Sequence, residues 1–138
     1  MRELAHLYAA AVDDRDFDAV AGLFVPDAVL AVPRPPKVLD PVDELVGPEG
    51  VLEAMGRLAA VPRTFHEVVG TVYDRTRGRI ACVAHHLVPD EAGAVTDHVW
   101  LVRYLDDYVD TPEGWRFARR EVHVDAVETR SVTAARLR

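Results

Sequence analysis

The period of the apolar residues changes near Pro62, and that change limits the fold more than any other feature of the chain. Before it, Leu4, Leu7, Tyr8, Ala11 and Val12 recur at the spacing of an amphipathic helix. Asp16 stands as an N-cap for a second short helix carrying Phe17, Val20, Ala21 and Phe24. Ala28 to Val32 is short and apolar enough for a strand. Gly47-Pro48-Glu49 opens a third helix, with Val51, Leu52, Met55, Leu58 and Ala59 as its buried stripe. After Pro62 the alternation is two. Thr64 to Tyr73, Arg79 to Val88, Val95 to Val109 and Trp115 to Val124 read as strands joined by hairpin-like turns. Three helices and one early strand, then a meander of four long strands, predict an α+β fold. Its helices cover one face of a curved antiparallel sheet and leave room for a small ligand between the layers.

Pro33-Arg34-Pro35-Pro36 fits neither a helix nor a central strand. With the stretch to Val46 it is expected to form a long connection, a flap over a site. The tail from Ala126 is polar and is expected to fray, so we read one domain over residues 1–126 and a frayed tail over 127–138.

At 138 residues the chain suits a single core. Its net charge of −7 disfavours nucleic acid and anionic membranes as partners. No apolar run approaches the ~20 residues of a membrane helix, and Met1 to Arg15 reads as a mature helix rather than a leader. The single cysteine, Cys82, lies among Ile80, Ala81 and Val83 and reads as a small buried hydrophobe. The cytoplasm is the expected compartment.

Leu7-Tyr8-Ala9-Ala10-Ala11-Val12-Asp13-Asp14-Arg15-Asp16-Phe17, with Leu23-Phe24-Val25-Pro26-Asp27-Ala28 and Gly114-Trp115-Arg116-Phe117-Ala118-Arg119-Arg120, resembles SnoaL-like proteins. These belong to the nuclear-transport-factor-2-like group, whose fold is a cystatin-like cone. The resemblance spans about residues 2 to 126. It implies a cofactor-independent, metal-free domain that binds a small molecule and usually forms a homodimer, with trimers as the alternative. In site pattern it is similar to scytalone dehydratases. That pattern puts an aspartate at Asp13 and histidines at His66 and His85, which would carry proton transfer. Two tyrosines of the pattern fall on Val12 and Val32, and an asparagine falls on Tyr104. Tyr8 matches the oxyanion-hole tyrosine of ketosteroid isomerases, whose base falls on Val32. The substrate-binding residues implied are Tyr8, Val32, Val83, Trp100, Tyr104, Asp106 and Val122.

Several of these positions admit other readings. Strand parity lets only one of His85 and His86 point inward, and parity alone does not choose; the resemblance favours His85. Asp13 and Asp14 are neighbours of equal chemistry. His66 and His85 could be hydrogen-bonded core histidines, and Tyr8 and Tyr104 core phenols. Asp106 is a second candidate base, while Arg119 and Arg120 read as surface ion pairs. The function expected is a lyase or isomerase acting by His/Asp acid–base catalysis on a hydroxy-carbonyl, polyketide-like compound. The alternative is a non-catalytic binding or assembly module of the same fold.

Overall fold

The computed structural model describes residues 1–135. Helix α1 (Leu4–Asp13) buries Leu4, Ala5, Tyr8, Ala9 and Val12; of the stripe read from the sequence Leu4, Tyr8 and Val12 are buried, Ala11 is half-buried and Leu7 is exposed. Arg15 then takes a left-handed φ of 60° and turns the chain into α2 (Phe17–Ala21). The Asp16 carboxylate caps α2 by accepting the Ala19 N–H at 3.2 Å. Strand β1 (Phe24–Arg34) follows, then β2 (Val38–Val46), α3 (Gly47–Leu58), β3 (Arg63–Asp74), β4 (Arg77–Pro89), β5 (Val95–Thr111) and β6 (Gly114–Val132).

The six strands form one sheet in the order β2-β1-β6-β5-β4-β3. Every neighbouring pair is antiparallel except β1 and β6. The ladder between β5 and β6 slips twice, once at Leu101/Val102 and once at Asp107/Tyr108. Each slip adds a residue to β6, and such bulges bend and twist a sheet. Helices α1 and α3 pack in the resulting hollow, where Val12, Val51, Leu30, Ile80 and Phe117 are almost fully buried. Arg15 ties the layers together. Its guanidinium donates to the carbonyl of Leu58, the last residue of α3, at 3.0 Å and to the Val61 carbonyl just beyond it at 2.9 Å.

Two readings of the sequence need correction. The stretch expected to be a flap is strand β2, paired from Val29↔Val46 to Arg34↔Val38. Pro41 is tolerated within it because β2 is an edge strand and one side of its backbone needs no partner, while Pro35 and Pro36 fall in the turn between β1 and β2. The tail expected to fray continues β6 through Val132, with residues from Ala126 to Val132 paired to Leu101 through Val95. Main-chain groups of β5 require partners whatever the side chains opposite them, and this pairing supplies them. Residues 136–138 of that tail lie outside the described residues. No described helix is long and apolar enough to cross a membrane.

Candidate active site

The concave face of the sheet narrows towards one end. Reading along β5, Trp100, Val102 and Tyr104 face inwards, opposite Ala84, Cys82 and Ile80 of β4. Below them the cone is filled. Above them lies a chamber of about 100 Å³, walled by Tyr8, Leu30, Val32, Ala54, Met55, Leu58, His66, Ala84, His86, Trp100, Val102, Tyr104 and Val122. It opens past Pro33, Arg57, Leu58, His86 and Trp100 into a wider vestibule of about 600 Å³, which Val127 and Thr129 of the extended β6 help to wall.

One carboxylate serves this chamber from behind. Asp13 ends α1, and three donors from β3 converge on it. The His66 Nδ1 lies 2.7 Å from Oδ1, the His66 backbone N–H donates to Oδ2 at 2.9 Å, and the Thr64 hydroxyl donates to Oδ1 at 2.9 Å. Partial burial pushes the Asp13 carboxyl up, but the hydrogen bonds from His66 and Thr64 outweigh it and hold the group below its usual value. An ionised Asp13 accepts from Nδ1–H, which fixes the imidazole tautomer and leaves Nε2 with its lone pair free.

The second imidazole in the chamber is His86, which corrects the expectation that His85 faces inwards. Its ring lies 6.2 Å from that of His66 and 4.1 Å from that of Trp100. Its Nδ1 is 2.8 Å from the His98 carbonyl, an acceptor only, so Nδ1 carries the proton and Nε2 is again an acceptor. Burial lowers the His86 pKa from 6.5 to about 4, so the ring is neutral at physiological pH. Between these values the unfolded chain binds a proton that the folded chain does not. Stability contributed by neutral His86 is therefore complete above pH 6.5 and lost as pH falls towards about 4. The slope expected from this group is at most about 1.4 kcal/mol per pH unit. Urea unfolding of wild type and His86→Phe across that window checks it, and the variant should show the shallower decline.

His85 and Val83 lie on the opposite, outer face, so neither reaches the chamber. His85 Nδ1 is 2.6 Å from Asp97 Oδ2, and its Nε2 is 3.3 Å from Glu67. The physical reason is register: His86 pairs with His98 and Ala84 with Trp100, which commits His86 to the face of Trp100. Asp106 is also corrected. It points inwards but sits deeper than the chamber, where Oδ1 accepts from Arg120 Nε at 3.0 Å and Oδ2 from the Tyr108 hydroxyl at 2.8 Å.

Arg120, read as a surface residue, is fully buried. Its guanidinium carbon lies 3.6 Å from the Tyr104 ring centre, 4.3 Å from that of Tyr8 and 4.7 Å from that of Phe117. The two terminal nitrogens have no hydrogen-bond partner among the described residues and meet aromatic faces instead. Arg120 thus holds Tyr8 and Tyr104 from below. Burial raises both phenols above their ordinary pKa, so they remain O–H donors. Burial likewise pushes the Cys82 thiol up to about 11, which leaves it an unreactive hydrophobe.

Of the residues proposed from the sequence, Tyr8, Val32, His66, Trp100, Tyr104 and Val122 line the chamber, and Asp13 reaches it through His66. His85, Val83 and Asp106 do not line it. Sequence reasoning kept His86 only as the alternative to His85 and missed Arg57 as a wall residue. Among the described residues no group of three or more His, Cys, Asp or Glu side chains stands close enough to hold a metal ion.

Three helices, two of them packed in the hollow of a bent six-stranded sheet with an apolar chamber between the layers, define a nuclear-transport-factor-2-like α+β cone. Within that class the chain belongs to the SnoaL-like domain family, whose model matches residues 1–121. No curated protein is significantly similar in sequence. Among solved structures, a candidate scytalone dehydratase from Novosphingobium aromaticivorans is 21% identical with a TM-score of 0.76, over 97% of this chain and 87% of that one. The hexachlorocyclohexane dehydrochlorinase LinA-type3 from Novosphingobium barchaimii is 15% identical with a TM-score of 0.74, over 93% and 86% of the two chains. A ketosteroid isomerase-like protein from Erwinia carotovora is 18% identical with a TM-score of 0.65, over 91% and 93%. At such identities the likeness is one of fold.

Proposed function

We propose that this protein is a cofactor-independent lyase or isomerase for a hydroxy-carbonyl compound of polyketide-like character, with His66 as its general base. The observation that carries the reading is the 2.7 Å contact between His66 Nδ1 and Asp13, with the same ring lining an apolar chamber. His66 Nε2 takes a proton from the carbon next to the carbonyl, and the electron pair moves onto the carbonyl oxygen as an enolate. Asp13 stabilises the imidazolium so formed. The phenols of Tyr8 and Tyr104 donate to the enolate oxygen. In a dehydration the enolate then expels the β-hydroxyl, which leaves as water with the proton held by His66. In an isomerisation that proton is delivered to another carbon; in a cyclisation the enolate carbon instead bonds to a second carbonyl carbon of the substrate, and the oxygen of that carbonyl takes the proton. Neutral His86 accepts a hydrogen bond from a substrate hydroxyl and orients it.

Two structural neighbours are named for eliminations, a dehydration and a dehydrochlorination, and both kinds of reaction remove a proton beside the leaving group. The test uses a β-hydroxytetralone in deuterated water. Deuterium appearing beside the carbonyl, together with fluorescent naphthol from water loss, supports the reading where both depend on His66. A ketone that binds tightly but neither exchanges nor loses water would mark a carrier instead.

The outer face of the sheet carries exposed Phe65, Val72, Leu101 and Leu105. We assign it to pairing of two copies, with a trimer as the alternative; light scattering of the purified protein distinguishes these from a monomer. The cytoplasm remains the compartment proposed.

A further inference from the structure

The vestibule differs in charge from the protein around it. The chain as a whole carries −7, yet none of the described residues that line the vestibule is acidic. Two are arginines, Arg34 at the end of β1 and Arg57 in the last turn of α3, and the rest include Pro33, Val61, Val88 and Val127. Both arginines turn to one carboxylate. Arg34 Nε donates to Asp43 Oδ2 at 2.8 Å, with Arg34 Nη2 on Oδ1, and Arg57 Nη1 donates to Oδ2 at 3.0 Å. Those hydrogen bonds hold the Asp43 carboxyl down to about 2, so it is ionised at any working pH. One negative charge set against two positive ones leaves about one unit of positive charge at the opening.

The bland account of each arginine is incomplete. A cation in the last turn of α3 complements the carbonyl end of the helix, and Arg34 pairs with Asp43 across the β1–β2 hairpin. Neither role explains why both guanidinium groups line the same apolar opening. Nor does it explain why Arg57 borders the inner chamber as well. Arg57 Nε and Nη2 carry no hydrogen bond among the described residues, and the side chains of Arg34 and Arg57 are 66% and 45% exposed. They can therefore reorient towards a ligand without a burial cost.

We propose that the chamber and vestibule together take an amphipathic organic anion, with its apolar body inside and a carboxylate or equivalent oxyanion held at the mouth by Arg34 and Arg57. A planar guanidinium matches a carboxylate or sulfonate with two parallel hydrogen bonds. The apolar walls accept the remainder of the molecule, and Trp100, which borders both spaces, offers it a flat face. The proposal rests on the reading of the chamber as the substrate site in one respect only, that a single molecule spans both spaces.

Two dyes of nearly equal shape provide the test, anilinonaphthalene sulfonate and the uncharged phenylnaphthylamine. Wild type is expected to bind the sulfonate at least ~10-fold more tightly than the neutral dye, the size of one charge-assisted hydrogen bond. The preference should shrink as potassium chloride is added. In nitrogen-edited NMR the sulfonate should shift the indole N–H of Trp100 and leave that of Trp115 in place. The double variant Arg34→Gln/Arg57→Gln should lose the preference while binding the neutral dye as before, which also reports that it has folded. Equal affinity for the two dyes in wild type, a salt-independent preference, a preference that survives in the double variant, or a shift at Trp115 alone each overturns the proposal. Dye binding involves no proton transfer, and deuterium exchange is read on the ketone with neither dye present. Loss of the dye preference therefore leaves the proton-transfer reading standing, and loss of proton transfer leaves the dye result standing.

Discussion

Replacing His66 with alanine is expected to slow deuterium exchange and water loss from a β-hydroxytetralone by ~10²–10⁴-fold, the usual worth of a positioned general base. The alanine removes the imidazole, with its Nε2 base and its Nδ1 contact to Asp13, and leaves the other walls of the chamber in place. The His66 backbone N–H and the Thr64 hydroxyl still hold Asp13 where it is, so the fold should persist. Affinity for the ketone should change little, because the loss falls on the step rather than on binding. Asp13→Asn should produce a smaller loss, since the ring stays in the chamber but its charged form loses the carboxylate. Circular dichroism shows whether each variant is folded, and naphthol fluorescence gives the rate. A folded His66→Ala protein working within a few-fold of wild type rejects the assignment of His66 as base.

The largest expected effect on stability comes from Arg120→Met. This change leaves the Asp106 carboxylate buried with only the Tyr108 hydroxyl to meet it, and it removes the cation from under three aromatic rings. Breaking a buried ion pair on one side costs about 3–5 kcal/mol, a large share of the ~5–15 kcal/mol that a small domain has. The paired change Arg120→Met/Asp106→Leu should recover much of that cost, because it leaves no charge without a partner. Urea midpoints for the two singles and the double close the cycle. A single variant within about 1 kcal/mol of wild type would mean that the aromatic box, not the ion pair, stabilises this region.

Much of the architecture was legible because it is written as periodicity. The stripe Leu4, Tyr8, Val12 and the alternation after Pro62 each commit many residues to one face, so small errors average out. The elements that escaped notice lack that redundancy. Strand β2 is an edge whose alternation is interrupted by Pro41, and it reads as a loop because only one of its sides is paired. The end of β6 carries Glu128, Thr129 and Arg130, and its pairing is dictated by the backbone of β5 rather than by its own composition. In the site, Asp13, His66, Tyr8 and Tyr104 were singled out by the resemblance to SnoaL-like proteins, since the residues alone left Asp13 and Asp14 equal and the others readable as core. The choice between His85 and His86 depended on a single step of parity. One clue was present: Arg79 shares the face of Ala81, Val83 and His85, whereas Ile80, Cys82, Ala84 and His86 form a face with no charged group. Arg120 offered no such clue, since buried and exposed arginines look alike in a strand until the aromatic rings that enclose it are in place.

Asp125 is the residue that β6 carries beyond the count of β5 at the upper slip, since Leu101 faces Ala126 while Val102 faces Val124. Arg103 clamps its carboxylate from the outer side, with Nη2 at 2.7 Å. Were the ladder to run without that interruption, every later side chain of β6 would trade sides. Glu128 would then turn inwards in place of Val127 and Thr129, bringing an anion to the opening beside Arg34 and Arg57. A miscount of one in a strand thus decides the sign of the doorway.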